Sequence, residues 1–296
     1  MRPDSETPSG VPFYPDDTIE DLQRSGLRLL QKKNSFRFGT DSVLLAAYAA
    51  TFCQPAGRRF RIADLGAGCG AVSLLLAARL PAAELVGLEL DPTSCETLDR
   101  NSRLNQLTAR LHALQGDIRG LTTGKAAHQL LKPHSFDLVV SNPPYRRPGH
   151  TCRQIGQPAS PARLQALEET ELNLDELFKA AGILLKPKGR LILVHRVFRL
   201  PDVIAGLQAR DLEPQRMRLI QSLPGRSPTT FLMAAVSQGK PGGFQTEAPI
   251  VVCSKPGQLS DEAAAWYGHE PPLSQQALFA GLYHAKSPDQ GAYNHD

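Results

Sequence analysis

From residue 60 onward, short runs dense in branched apolar residues alternate with longer segments in which leucine and alanine recur among polar residues at helical spacing. The short runs predict strands at 61–65, 84–90, 111–115, 136–141, 190–195, 215–221 and 230–237. The longer segments predict helices at 71–80, 93–105, 172–185 and 201–210. Strand and helix in turn are the mark of a wound α/β sheet whose parallel strands are buried on both faces, here mostly parallel and seven-stranded. Ahead of it, residues 27–31 and 35–38 around Lys32, Lys33 and Asn34 predict a short hairpin, and Thr40 or Asp41 a cap for a helix with its body at 43–51. Residues 1–24 are rich in Pro, Asp, Ser and Thr and predict a flexible tail. Residues 241–296, rich in Gly, Pro, Ser and Gln apart from the apolar run 249–253, predict a largely irregular or disordered extension. One domain, residues 25–240, is enough to hold the pattern.

Composition narrows the class without naming it. A chain of 296 residues with 41% hydrophobic content can bury a substantial core. Its 33 Lys and Arg against 29 Asp and Glu leave a mildly basic balance, compatible with a polyanionic partner. Five cysteines, Cys53, Cys69, Cys95, Cys152 and Cys253, include no C-x-x-C pair, which argues against a disulfide framework and for a reducing compartment. No apolar stretch approaches the roughly 20 residues that span a bilayer, and the start lacks a signal-peptide pattern. A cytoplasmic protein is expected.

The chemistry gathers at the ends of the predicted strands. Asp64-Leu65-Gly66-Ala67-Gly68-Cys69-Gly70 joins the first strand to the first helix, and its glycines let a ligand approach the backbone. A dinucleotide loop reads G-x-G-x-x-G and seats a pyrophosphate; here the pattern is G-x-G-x-G preceded by Asp64, which repels a pyrophosphate but attracts an ammonium. Glu89 ends the second strand at the spacing where a carboxylate accepts both ribose hydroxyls, and Asp117 after the third can receive an adenine amino group. Three carboxylates and three glycines on one sheet edge describe a pocket for an adenosine joined to an amino acid, which is S-adenosylmethionine. After the fourth strand comes Asn142-Pro143-Pro144-Tyr145. The prolines fix the backbone, Asn142 and a prolyl carbonyl offer acceptors to a planar amino group, and Tyr145 offers a face on which its ring can stack.

With these motifs the chain resembles the class I S-adenosylmethionine-dependent methyltransferases, Rossmann-like in fold, and Asn142-Pro143-Pro144-Tyr145 resembles the branch that methylates planar nitrogen. Within that branch it is similar to the bacterial adenine N6-methyltransferases that act on valine tRNA beside the anticodon. The similarity covers residues 25–240 and includes Phe38-Gly39-Thr40-Asp41 before Val43-Leu44-Leu45-Ala46, Ser160-Pro161-Ala162-Arg163, and Leu184-Leu185-Lys186-Pro187-Lys188-Gly189-Arg190-Leu191. It implies that Gly39, Thr40 and Asp41 close over the cofactor, that Asn142, Pro143, Pro144 and Tyr145 form the catalytic loop, and that tRNA is the substrate; a monomer is expected. Lys188 stands where relatives often carry a second glycine, and the loop at 146–159 is longer and more basic than the pattern. Lys32, Lys33, Arg37, Arg146, Arg147 and Arg153 are candidates to neutralise RNA phosphates, with a solvated basic loop as the alternative.

Other chemistries fit less well. The histidines show no metal spacing, so no metal site is predicted; His195 is read as structural, Cys69 as packing, and Ser73 and Ser141 lack a triad. Methylation of a protein glutamine, as in the release-factor methyltransferases, shares the Asn-Pro-Pro-Tyr loop. Those enzymes place a helical domain before the fold, whereas about 60 residues precede the glycine loop here. DNA adenine methylation lacks a separate recognition domain, and a catalytically inactive RNA-binding protein is the non-enzymatic alternative.

Overall fold

The computed structural model describes residues 5–6, 10–33, 38–55, 57–123, 129–143 and 173–268. Two short strands, β1 (Ser5–Glu6) and β2 (Pro12–Phe13), pair first, and β3 (Asp17–Asp21) then pairs antiparallel with β4 (Arg28–Lys32). Helix α1 (Thr40–Thr51) leads into alternating β5 (Arg61–Leu65), α2 (Ala71–Arg79), β6 (Glu84–Glu89), α3 (Pro92–Leu104), β7 (Leu111–Gln115), α4 (Ile118–Thr123) and β8 (Phe136–Ser141). After the segment outside the described residues come α5 (Leu174–Leu184), β9 (Leu185–Arg196), a 3-10 turn (Val197–Arg199), α6 (Leu200–Gln208), β10 (Leu212–Gln221) and β11 (Thr230–Ser237). The chain continues as β12 (Gln245–Val251), the pair β13 (Cys253–Lys255) and β14 (Gln258–Leu259), and α7 (Asp261–Tyr267).

The central sheet has eight strands in the order β12-β10-β11-β9-β8-β5-β6-β7. Period-two alternation deals its side chains to two cores: Ile62, Leu138, Val140, Ile192 and Val194 face α1, α2 and Trp266 of α7, while Ala63, Leu65, Val139, Leu191 and Leu193 face α5 and α6. Strand β5 pairs in parallel with β6 on one side and β8 on the other. The order therefore reverses between β5 and β8, and the crevice beyond their carboxyl ends is where such sheets bind ligands.

The wound α/β architecture matches the sequence, with several differences. Residues 10–24 are not a loose tail: β3 pairs with β4 through the register Asp17↔Lys32 to Asp21↔Arg28, so the partner of 28–32 lies before it rather than at 35–38. Residues 34–37 lie outside the described residues. Gly39, in extended conformation, is the N-cap of α1, and neither Thr40 nor Asp41 caps it. The sheet has an eighth strand, because β12 adds in parallel to β10 through Arg216↔Gln245 to Gln221↔Val251. Finally α7, capped by Ser260, makes residues 261–267 regular rather than irregular. Pro249 is tolerated in β12 because the strand lies at the sheet edge, where a missing N–H costs nothing.

Candidate active site

The glycine loop is held by backbone bonds that begin in the neighbouring strand. Gly66 and Ala67 both donate to the Leu88 carbonyl, at 2.9 and 3.1 Å, and Gly70 donates to Ala67 at 2.9 Å. Gly68 takes a left-handed φ of 56° with open space where a Cβ would stand. Gly70, at φ 89°, serves packing instead: a Cβ there would lie 2.1 Å from the Leu98 side chain, so α3 reaches the loop only because the side chain is missing. Glu89 completes the fixture, its carboxylate accepting from the amides of Gly68 at 2.8 Å and Asp91 at 2.9 Å.

The loop borders an open cleft that also receives Asp64, Ser42, Lys32, Thr97 and Asn142. Asp64 is buried and accepts a hydrogen bond from the Ser73 hydroxyl at 2.7 Å. Burial pushes its pKa up to about 7, with the negative charge of Glu89 adding to the rise and the Ser73 bond opposing it. A carboxyl held at such a pKa is suited to a cation, because an ammonium alongside would return it to the ionised form. Asn142 follows β8 directly, and its amide NH2 donates to Ser42 Oγ at 3.4 Å across the cleft, which aims that end of the amide at α1. Ser141 bonds its hydroxyl to the Leu65 carbonyl at 2.7 Å, tying together the two strand ends that carry the glycine loop and Asn142.

The structure thus brings Asp64, Gly66, Gly68 and Asn142 into one cleft, with Glu89 one hydrogen bond behind it. Gly39, Thr40 and Asp41 form the end of α1 next to Phe38 and Ser42, both of which line the cleft. Asp117 ends the next strand, but its carboxylate is engaged by Arg119 at 2.6 Å, which holds it below the usual carboxylate range. Lys32 stands on the cleft wall rather than facing outward: its ammonium lies 2.8 Å from Asp16 and 2.9 Å from Asp17. Burial lowers its pKa, the bonds to those carboxylates outweigh burial, and the net shift is upward. That pairing works against a role in neutralising phosphates. Lys33 is exposed and donates to the Pro15 carbonyl at 2.8 Å. Pro144, Tyr145, Arg37, Arg146, Arg147 and Arg153 lie outside the described residues.

Several residues at the site were not anticipated. Asn101 of α3 donates to the carbonyls of Leu30 and Cys69, both at 2.8 Å, and accepts from the Leu30 amide at 2.7 Å, so one buried amide joins β4 to the glycine loop. Beneath it Arg100 and Asp17 form a buried ion pair at 2.6 Å. Burial raises the pKa of Asp17, and Arg100, the Tyr14 amide and Lys32 together pull it below the ordinary value. Tyr267 of α7 donates its hydroxyl to Thr40 Oγ1 at 2.8 Å, linking the carboxyl-terminal extension to the end of α1. His195 is fully buried, with its pKa lowered to about 4 by burial and by Arg199, and its Nδ1 accepts from the Arg196 amide. A neutral, hydrogen-bonded imidazole agrees with a structural role. The Cys69 thiol is pushed up to about 11 by burial, which leaves it un-ionised and suits packing.

Residues 42–205 match the family model described as methyltransferase small domain. A tRNA1(Val) (adenine(37)-N6)-methyltransferase from Porphyromonas gingivalis is 33% identical over 199 residues, which cover 67% of this chain and 73% of that protein. A protein of the same name from Yersinia pestis is 33% identical over 163 residues, 54% of this chain and 58% of its own. Among solved structures, a predicted O-methyltransferase from Agrobacterium tumefaciens superposes with a TM-score of 0.58 at 23% identity, covering 77% of this chain and 96% of that one. A predicted class I S-adenosylmethionine-dependent methyltransferase from Listeria monocytogenes gives 0.54 at 13% identity, covering 85% and 74%.

Proposed function

The chain belongs to the methyltransferase small domain family and has the class I methyltransferase fold, and from that premise we propose that it methylates N6 of an adenosine in tRNA, at position 37 of valine tRNA as its relatives are named. The observation that carries this reading is the meeting of Asn142 with Asp64 and the glycine loop in one cleft at the reversal of strand order. S-adenosylmethionine, when bound, supplies an electrophilic methyl group on a sulfonium. The residues present fit it: Asp64 takes the ammonium, Gly66 and Gly68 leave room against the backbone, Glu89 serves the ribose hydroxyls and Asp117 the adenine amino group once released from Arg119. Gly39, Thr40 and Asp41 close the cleft at the end of α1.

Asn142 and the Pro143 carbonyl accept hydrogen bonds from the N6 amino group of an adenosine turned out of its stack, with Tyr145 as the platform beneath the base. Those bonds favour a pyramidal nitrogen whose lone pair points into the cleft. With S-adenosylmethionine held there, its sulfonium methyl would be the group passed to N6, its sulfur would keep the electron pair, and the extra proton on the methylated nitrogen would go to water. Positioning is the main contribution, on the order of 7–11 kcal/mol for well-oriented reactants. Lys33, Arg37, Arg146, Arg147 and Arg153 serve the RNA phosphates in this scheme, Pro144 keeps the loop rigid, and the enzyme works as a cytoplasmic monomer without a metal.

The test is incubation with labelled S-adenosylmethionine and separate unmodified tRNA, ribosomal RNA, DNA and release factor. Label on N6-methyladenosine in tRNA is expected; label on a glutamine replaces the reading. Asn142→Ala is expected to abolish transfer with cofactor binding retained, and an active variant would remove Asn142 from its role.

A further inference from the structure

Among the described residues Phe198 is the most exposed of the large apolar side chains, and it stands at the carboxyl ends of the strands, as Asn142 does. Phe198 is 60% exposed, and it lies in the 3-10 turn that directly follows β9. Strand β9 runs parallel to β8, with Ser141 opposite Leu193, so Asn142 is level with the last residues of β9. Counting along the strand and the turn from there puts Phe198 roughly 10–14 Å from Asn142, close to the span of a short single-stranded segment.

The turn is rigid. Val197 and Leu200 on either side of Phe198 pack against the core under α6, Val197 donates its amide to the Thr229 carbonyl at 3.0 Å, Arg196 donates to Thr230 Oγ1 at 3.0 Å, and Arg199 pairs with Asp202 at 2.7 Å. An aromatic ring is thereby fixed outward by neighbours that are fixed inward. Cations stand nearby: Arg196, and on the loop 222–229, which returns along the same edge, an exposed Arg226, while the Arg199 charge is offset by Asp202. The glycine loop, Glu89 and Asp117 follow β5, β6 and β7, so the cofactor half of the crevice lies to one side of Asn142. Phe198 lies to the other, where the methyl acceptor must enter.

We propose that Phe198 is a stacking platform for a base next to the methylated nucleotide, with Arg226 contacting the adjoining phosphate; this rests on an RNA being the substrate of the Asn142 site. A rigid, exposed ring beside cations is the arrangement by which single-stranded RNA is held, since every base has a face to stack and every linkage a charge to neutralise. None of the basic positions expected from the sequence to meet RNA lies on this turn or its loop, so the platform extends the substrate surface past the catalytic loop.

The experiment measures the affinity of the full-length protein for an unmodified valine tRNA transcript, with 2-aminopurine placed beside the target adenosine. Phe198→Ala is expected to weaken RNA binding about tenfold and to remove the quenching of 2-aminopurine that the wild type produces. Phe198→Trp restores both, and neither substitution changes cofactor affinity or the melting temperature. Arg226→Gln is expected to lower the slope of log affinity against log salt by about one. If the wild type methylates the transcript while Phe198→Ala binds and quenches as the wild type does, the platform is refuted and the function stands. A wild type that neither binds nor methylates RNA overturns the function and the platform with it. Weakened binding that comes with a lowered melting temperature and is not restored by Trp assigns Phe198 to structure and refutes the platform.

Discussion

Asp64 is the group through which pH acts most directly on this protein. Its side chain is 2% exposed, and burial raises its pKa from 3.8 to about 7. A rise of about three units corresponds to roughly 4 kcal/mol of preference for the neutral form. Because the folded value is raised, the native state binds more protons than the unfolded chain between pH 3.8 and about 7. Stability contributed by this group therefore declines as pH climbs through that window, and above it the fold carries the full cost of an ionised, buried carboxylate. Asp64→Asn removes the charge and keeps an acceptor for the Ser73 hydroxyl. In urea titrations of the unliganded protein, the variant is expected to match the wild type near pH 4 and to exceed it by up to roughly 4 kcal/mol at pH 8. In the proposed scheme the same charge serves the cofactor: an ammonium against Asp64 would restore the ionised form, so binding at pH 7 is expected to release about half a proton, measurable by calorimetry in two buffers of different ionisation enthalpy. Asn at this position abolishes that release and weakens binding. A stability difference that stays flat from pH 4 to 8, or binding without proton release, would refute the assignment.

Three further substitutions probe the frame around the cleft. Arg100→Met leaves the buried Asp17 carboxylate without its guanidinium and is expected to cost about 3–5 kcal/mol in urea unfolding. Since the folded pKa of Asp17 is lowered, its stabilisation is present above 3.8 and lost as pH falls through the lowered value, so Asp17→Asn should flatten the acid limb of the stability profile. Asn101→Ala removes three hydrogen bonds, two of them buried, and should cost about 2–3 kcal/mol, and it is expected to weaken cofactor binding, because Cys69 loses the donor that steadies the glycine loop. Trp266 is 5% exposed and stacks on Tyr48 at 6.5 Å; Trp266→Ala should cost about 3–5 kcal/mol in thermal unfolding and lower cofactor affinity through the neighbouring Tyr267–Thr40 bond.

Strands buried on both faces were legible because the apolar residues of 136–140 and 231–235 alternate between the two cores, with few polar interruptions. The added edge strand was not. Of its seven residues only Ile250 is buried, and Pro249 sits within it, so neither alternation nor composition marks it. Helix α7 did leave a trace, with Ser260 ahead of Asp261 and Glu262 and Gly268 just after its last turn, signals swamped by the composition around them. The strand at 17–21 is hidden for a different reason: its inward residue is Asp17, a charge, and its one large apolar residue, Ile19, faces solvent. Hydrophobic patterning cannot find a strand that docks through ions.

The same asymmetry holds at the site. That the strand ends carrying Asp64, Glu89 and Asn142 meet around one cleft was legible, because polar residues at fixed offsets from buried strands have few other placements. The walls were not, because they are assembled from distant segments by polar groups that look solvated in sequence. Helix α3 shows how the assembly works. Asn101 and Asn105, four residues apart, each trade a donor and an acceptor with the backbone of Leu30 and Arg28, two residues apart on β4. Four residues of helix rise about 6 Å and two residues of strand about 6.6 Å, so the two periods match. The pair of amides stands where a neighbouring strand would, in antiparallel sense, and gives the β4 edge partners for its backbone. Ser94 and Thr97, farther toward the amino end of the same helix, line the cleft. A run of short polar side chains at helical spacing, on a helix otherwise expected to bury an apolar stripe, therefore marks a face turned toward backbone and ligand rather than toward core.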